Sequence, residues 1–251
     1  MYKPKYTPIS PPNGDTFTPK QLPKSFTLLT WNLQKTDFAH YIHRSFNELL
    51  KTLDSSIQPD ILSFQEAKTF PSQNTFFNMP FIMAPNIQTK KNHFGVLTAS
   101  NATITPIRQC LTQSKELGWT THKTALITEH LMNNQQVLTH VNIHAINFVT
   151  NSVFYQELNK LWQHLEHIDG PIILSGDFNT WNAKRTNNLN LTTQKLNLKK
   201  VEFLDNKPVK TMLRHPIDFI FYRGVELEHS MALNVKNISD HNPILATFRS
   251  I

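Results

Sequence analysis

The run Pro171-Ile172-Ile173-Leu174-Ser175-Gly176-Asp177-Phe178-Asn179-Thr180 constrains this chain more than any other stretch. Its apolar half reads as a buried strand. The strand stops at Gly176, where the backbone is free to turn sharply. A carboxylate and an amide follow, Asp177 and Asn179, two residues apart, which in extended chain aims both side chains the same way. An acceptor-only carboxylate beside a donor-plus-acceptor amide suits work on a water or a phosphate oxygen. Taken alone, the same residues also describe a plain turn after a strand, so the remaining sequence has to decide between the two.

Other strands repeat the arrangement. Phe26–Asn32 is rich in β-compatible residues and ends in Asn32. Phe38, Ile42, Phe46, Leu49, Leu50 and Leu53 then recur at helical spacing. Asp60–Glu66 is a second strand, ending in Glu66. Phe94–Ala99 and Thr103–Thr105 are expected as strands, and Arg108–Thr121 as loop. Lys123–His130 and Gln136–His144 are expected as two strands joined at Asn133-Asn134, the second ending in Asn142 and His144. Val153 to Ile168 has one apolar face and is a second helix, stopped by Asp169-Gly170. Thr180–Lys200 is polar and is expected to mix loop and short helix, with Lys184 and Arg185 as solvated charges. Ile217–Tyr222 is a strand with Asp218 inside it, a costly place for a carboxylate without a partner. Val225–Val235 is a further strand, and Ser239-Asp240-His241 precedes the last one. Open α/β sheets bind ligands at the carboxyl ends of their strands. The polar ends therefore define a candidate site within two packed sheets with helices outside.

Composition limits the chemistry. Cys110 is the only cysteine, so an intrachain disulfide and a cysteine metal cluster are excluded. The twelve histidines show no paired zinc spacing. Oxygen donors dominate the candidate site, which suits a hard cation such as Mg²⁺, with Mn²⁺ as a possible substitute. A formal charge of +7 favours polyanions: nucleic acid, acidic lipid head groups or phosphorylated small molecules. No apolar run has the 18 or so residues needed to cross a bilayer, and Met1–Ser10 has no apolar signal core. A cytoplasmic location is expected, with signal-independent export still open. Residues 1–25 contain six of the fifteen prolines and are expected to be an N-terminal arm. Residues 26–251 are expected to form a single domain, with no protein partner and as a monomer.

The chain resembles the endonuclease/exonuclease/phosphatase superfamily, the DNase I-like proteins. The matching motifs are Thr30-Trp31-Asn32, Phe64-Gln65-Glu66, Asn142-Ile143-His144, Ser175-Gly176-Asp177-Phe178-Asn179, Ile217-Asp218-Phe219 and Ser239-Asp240-His241, in the family's order. Within the family, Asn142–Phe148, Asp177–Trp181 and Asp218–Gly224 are similar to the bacterial YafD-like proteins. The resemblance implies a four-layer αββα sandwich. It implies Glu66 as principal Mg²⁺ ligand, with Asn32 and Asp240 nearby. Asp177 would orient or deprotonate the attacking water, and Asn179 would hold that water or a phosphate oxygen. His241 would contact the scissile phosphate, oriented by Asp218, with Asn142 and His144 gripping it from the other side. His144 stands where the apurinic endonucleases carry a tyrosine, which argues against abasic-site cleavage.

The expected function is Mg²⁺-dependent phosphodiester hydrolysis, with nucleic acid as the preferred substrate. A phospholipid or phosphorylated small molecule is the first alternative. A catalytically silent binding protein on the same fold is the second, and retention of every ionisable site residue counts against it. A long basic groove would favour nucleic acid, and an apolar rim would favour lipid.

Overall fold

The protein is described by a computed structural model that covers residues 20–34, 58–235 and 238–251. The helix expected over Phe38–Leu53, most of the proline-rich arm and Lys35 lie outside the described residues.

Two sheets stack face to face. The seven-stranded sheet has the order β14 (Val225–Ala232), β15 (Ile244–Ser250), β1 (Ser25–Asn32), β2 (Ile61–Thr69), β5 (His93–Ser100), β4 (Met79–Gln88) and β3 (Thr75–Phe76). The six-stranded sheet has the order β10 (Lys199–Lys200), β13 (Asp218–Arg223), β9 (Ile172–Asp177), β8 (Val137–His144), β7 (Thr124–Leu131) and β6 (Thr105–Leu111). Each is mixed and holds one central parallel pair, β1 with β2 and β8 with β9. A small hairpin joins β11 (Thr211–Met212) to β12 (His215–Pro216).

Period-two alternation assigns the faces. In β8 and β9, Val141, Ile143, Ile172 and Leu174 point outward into a core shared with Phe154, Leu158, Leu161 and Trp162 of helix α1 (Asn151–Leu165) and Leu189 of helix α2 (Ala183–Lys195). The alternate residues, Ile173 and Ser175, face the other sheet. There they meet Phe26, Leu28 and Ile61 in one region and a polar seam in the next. These helices and two sheets form the α and ββ layers of the expected α/β sandwich. On the far side of the first sheet Leu29, Trp31, Phe64 and Leu97 form a further buried cluster. Among the described residues no helix is long and apolar enough to cross a membrane.

Two local readings are corrected. Residues 105–111 form strand β6 where a loop was expected from Arg108 onward; as the edge strand, paired only to β7, it keeps a polar, half-exposed face. Residues 183–195 form a full helix, which the polar sequence hid because it buries only Arg185, Leu189 and Thr193. Ahead of β1, Leu22 is buried, and its N–H donates to Leu131 O at 2.8 Å.

The polar seam carries a pH dependence. His130 and His140 are fully buried between the sheets. His130 Nε2 lies 3.1 Å from Thr128 Oγ1, and His140 Nε2 lies 3.0 Å from Ser175 Oγ. Burial holds His130 down to about 4 and His140 well below the ordinary histidine value, the neighbouring His130 adding to the latter. Above pH ~6.5 both folded and unfolded chains are neutral here, so stability is flat. Below it the unfolded chain binds protons that the folded chain refuses, and stability falls until the folded value is reached. For His130 alone the expected loss is about 2 kcal/mol between pH 7 and pH 5. Urea midpoints across that range check it. A His130→Gln variant should flatten the profile, and an unchanged slope would remove His130 as the cause.

Candidate active site

Residues from both parallel pairs meet at the carboxyl ends of their strands. Asn32, at the end of β1, donates from Nδ2 to Asp177 Oδ2 at 3.0 Å, joining the two sheets. Trp31 donates from its indole to His241 O at 2.9 Å, and Ser239 Oγ donates to Asn32 O at 2.7 Å. The Thr30-Trp31-Asn32 motif is thus a clasp on the loop that carries His241.

Asp177 is 2% exposed. Its Oδ1 accepts the Asn179 N–H at 3.0 Å, and Asn179 Nδ2 donates to Ala145 O at 2.8 Å. The turn needs Gly176. Its φ is +135°, and a Cβ there would lie 2.1 Å from Ile143 O on the neighbouring strand. Asn179 itself sits at φ +50°, a left-handed conformation that asparagine tolerates better than most residues.

His241 Nδ1 donates to Asp218 Oδ2 at 2.8 Å, and its Nε2 is 3.9 Å from Asp177 Oδ2. Burial alone would lower this imidazole. The charge and hydrogen bond of Asp218, then Asp177 and Asp240, overcome it and raise His241 to about 9. Asp177 is pushed up by burial and by the Asp218 charge, against His241 and its two hydrogen bonds. The arrangement is an imidazolium fixed between carboxylates.

Glu66 reaches the same mouth by a less obvious route. Strand alternation turns Ser63 and Gln65 between the sheets and would send Glu66 outward. The register of β2 against β5 shifts between Phe64 and Ala67, and Glu66 has φ +50°. Such a bulge re-aims a side chain at roughly 1–3 kcal/mol of local strain. His144 Nε2 then lies 3.7 Å from Glu66 Oε1 and 3.6 Å from Asp177 Oδ2, bridging the two carboxylates.

The structure gives Asn142 a different task from the expected grip on phosphate. It is fully buried, donates to Phe64 O at 3.1 Å and Leu97 O at 2.9 Å, and accepts from Gln65 Nε2 at 2.8 Å. It bolts the sheets together behind the site. Asp240 is half-exposed and ion-paired to Lys210 at 2.8 Å, with Oδ1 3.9 Å from His241 Nε2.

Two residues escaped the sequence reading. Lys123 is 6% exposed, with Nζ 3.3 Å from Glu66 Oε1 and 3.7 Å from Glu116 Oε2. It immediately precedes β7, which runs antiparallel to β8, so the start of β7 lies at the same edge as the end of β8. Arg185, a solvated charge by its sequence context, is fully buried. Its guanidinium donates to Asn179 O at 3.0 Å and Val149 O at 2.7 Å, between the rings of Phe154 and Trp181. The arginine supports the Asn179 turn from behind.

The donors fit a hard divalent cation. Glu66, Asn32 and Asp240 offer oxygen alone, the set that Mg²⁺ takes while keeping waters. Ligand atoms of a second set, Asp177, Asp218 and His241, lie within 4.8 Å of one another. Its shortest contact is the proton-bearing His241–Asp218 hydrogen bond, so a cation there would have to displace that proton. Proton handling suits this trio better.

This fold and this mouth define a protein class. The chain belongs to the Endonuclease/Exonuclease/phosphatase family, whose model matches residues 29–241. Within it the chain stands with the UPF0294, or YafD-like, proteins. It is 32% identical over 225 residues to UPF0294 protein plu0699 of Photorhabdus laumondii subsp. laumondii, covering 88% of this chain and 82% of that protein. An endonuclease/exonuclease/phosphatase family protein from Leptotrichia buccalis shares the fold with a TM-score of 0.63 at 15% identity, covering 89% of this chain and 99% of that one. D. rerio TDP2 in complex with a single-strand DNA product does so with a TM-score of 0.58 at 15% identity, covering 90% of this chain and 99% of that one.

Proposed function

We propose that this protein is a divalent-metal-dependent phosphoesterase that hydrolyses phosphodiesters by in-line attack of water. The observation that carries the reading is His144 standing between Glu66 and Asp177 at 3.7 and 3.6 Å, which makes residues distant in sequence one mouth. Asp177 orients the water and accepts its proton as the new P–O bond forms. Asn179 holds Asp177 through its N–H and faces the same water or a phosphate oxygen. His241, kept protonated by Asp218, donates to the phosphate as charge builds on it. Lys123 adds positive charge on the opposite side, where the His144 imidazole also stands. Glu66, with Asn32 and Asp240, would hold Mg²⁺ or Mn²⁺, which when bound polarises a phosphoryl oxygen and stabilises the leaving oxyanion.

Nucleic acid is the substrate class favoured by the +7 charge and by the fold shared with a DNA-bound TDP2. Phospholipid is the second reading, and the apolar rim described below favours it.

The test is hydrolysis of bis-p-nitrophenyl phosphate with Mg²⁺, with Mn²⁺ and with chelator. Activity is expected only with metal. Glu66→Gln should raise the metal concentration needed for half-maximal rate by at least about tenfold. Full activity in chelator, or a Glu66→Gln variant with an unchanged metal requirement, would sink the proposal.

A further inference from the structure

The mouth is ringed by apolar tips. Among the described residues, most exposed large apolar side chains sit on loops leaving this one edge. These are Phe70 past β2, Leu117 and Trp119 between β6 and β7, Phe148 between β8 and α1, Leu204 between β10 and β11, and Leu213 in the β11–β12 turn. Trp119 is 76% exposed and Leu213 69%. Ile107, Val137, Leu191 and Ile251 lie on other parts of the surface. Single exposed apolar residues are ordinary, but their collection along one rim marks an interaction surface.

Strand pairing fixes the tips to that rim. Thr69 pairs with His93, so the Lys90-Lys91 turn stands beside Phe70. Asn86 Nδ2 donates to His122 O at 2.7 Å, which ties this hairpin to the loop of Leu117 and Trp119. The Leu117 N–H donates to Phe148 O at 3.2 Å. Strand β10 runs antiparallel to β13, toward Asp218, and carries Leu204 to the same edge. The Leu213-Arg214 turn, with φ of 50° and 69°, leads through β12 into Asp218. Lys90, Lys91, Lys115, Lys207 and Arg214 alternate with these tips. Asp205 is the acidic neighbour of Leu204, and Asp240 is already paired with Lys210.

Bases could stack on the rim aromatics, but Leu117, Leu204 and Leu213 have no π face to offer. The boundary of a bilayer receives Leu, Phe and Trp alike, while lysine and arginine pair with anionic head groups. We infer that this rim docks on an anionic phospholipid bilayer, which would bring a lipid phosphoester, the second of the two substrate readings, to the site. The inference rests on the phosphoesterase reading for the chemistry, and on the rim alone for the docking.

The test is flotation of the full-length protein with vesicles of phosphatidylcholine alone or mixed with phosphatidylglycerol. Binding is expected with the anionic vesicles, weaker with the neutral ones, and lower at high salt. Trp119→Ser/Leu213→Ser should cut partitioning by at least about tenfold. Lys90→Glu/Lys91→Glu should cut it by about fivefold or more per residue. Both variants should keep the wild-type thermal midpoint and the wild-type rate on bis-p-nitrophenyl phosphate. Asp177→Asn should float like wild type, so that loss of chemistry and loss of docking are read separately. Wild-type flotation with no hydrolysis of either bis-p-nitrophenyl phosphate or the vesicle lipid would uphold docking and remove the enzyme reading. Absence of flotation with either vesicle would overturn the inference, as would flotation indifferent to all rim variants. A rim whose variants lose only a single-stranded oligonucleotide would belong to nucleic acid instead.

Discussion

Asp177→Asn is expected to lower kcat/KM on a small phosphodiester by about 10³-fold or more while leaving the protein folded. The side chain is nearly the same size, so the pocket between Asn32 and Asn179 is not emptied. Two things change. The water loses its proton acceptor, and a neutral amide replaces the carboxylate that faces His144 and His241 at 3.6 and 3.9 Å. The amide also meets a donor, Asn32 Nδ2, where the carboxylate met it as an acceptor, so some stability is lost as well. Because Asp177 is one of the groups that raise His241, the His241 titration should move down, with Asp218 still holding most of the shift. Kinetics at saturating Mg²⁺, a urea midpoint and an NMR titration of the imidazole separate these effects. A variant within tenfold of wild type would remove Asp177 from the chemistry.

The largest stability effect is expected at Arg185. Arg185→Ala should cost about 3–5 kcal/mol, because the buried Asn179 O and the half-buried Val149 O would both lose charged donors. The gap between Phe154 and Trp181 adds a packing loss. Burial lowers the guanidinium only to about 10, so it remains charged at neutral pH. Arg185→Lys should recover only part of the loss, since an ammonium lacks the planar fork that spans two carbonyls and Asn151 Oδ1. The same variants should lower kcat by about tenfold or more through drift of the Asn179 turn, at unchanged pH dependence. Urea denaturation checks the first claim and steady-state kinetics the second. A cost below about 0.5 kcal/mol, the ordinary surface range, would mean the arginine bears nothing.

Much of the site is legible in the sequence. Strands β1, β8 and β9 keep a strict alternation, so Asn32, His144 and Asp177 fall between the sheets by local geometry alone. Gly176 and Asn179 supply the backbone freedom that the turn needs. The cost of burying Asp218 inside an apolar strand called for a partner, and His241 is the one it meets.

Other features depended on chain segments that sequence pattern cannot connect. Alternation put Glu66 on the wrong face, and only the bulge against β5 brings it to the mouth. Asn142 has the same period as His144 but lies one step deeper, where Gln65, Phe64 and Leu97 take up its amide. Arg185 reads as a surface cation on a polar helix until the 147–149 loop and Phe154 close over it. Lys123 gains its place from β7 running antiparallel to β8. The sequence by itself determined which residue types stand at the strand ends and which way most of them face, because those depend on backbone period and local turns. Tertiary structure alone decided which polar groups are consumed in holding the sheets together and which remain at the mouth, because that depends on who stands opposite.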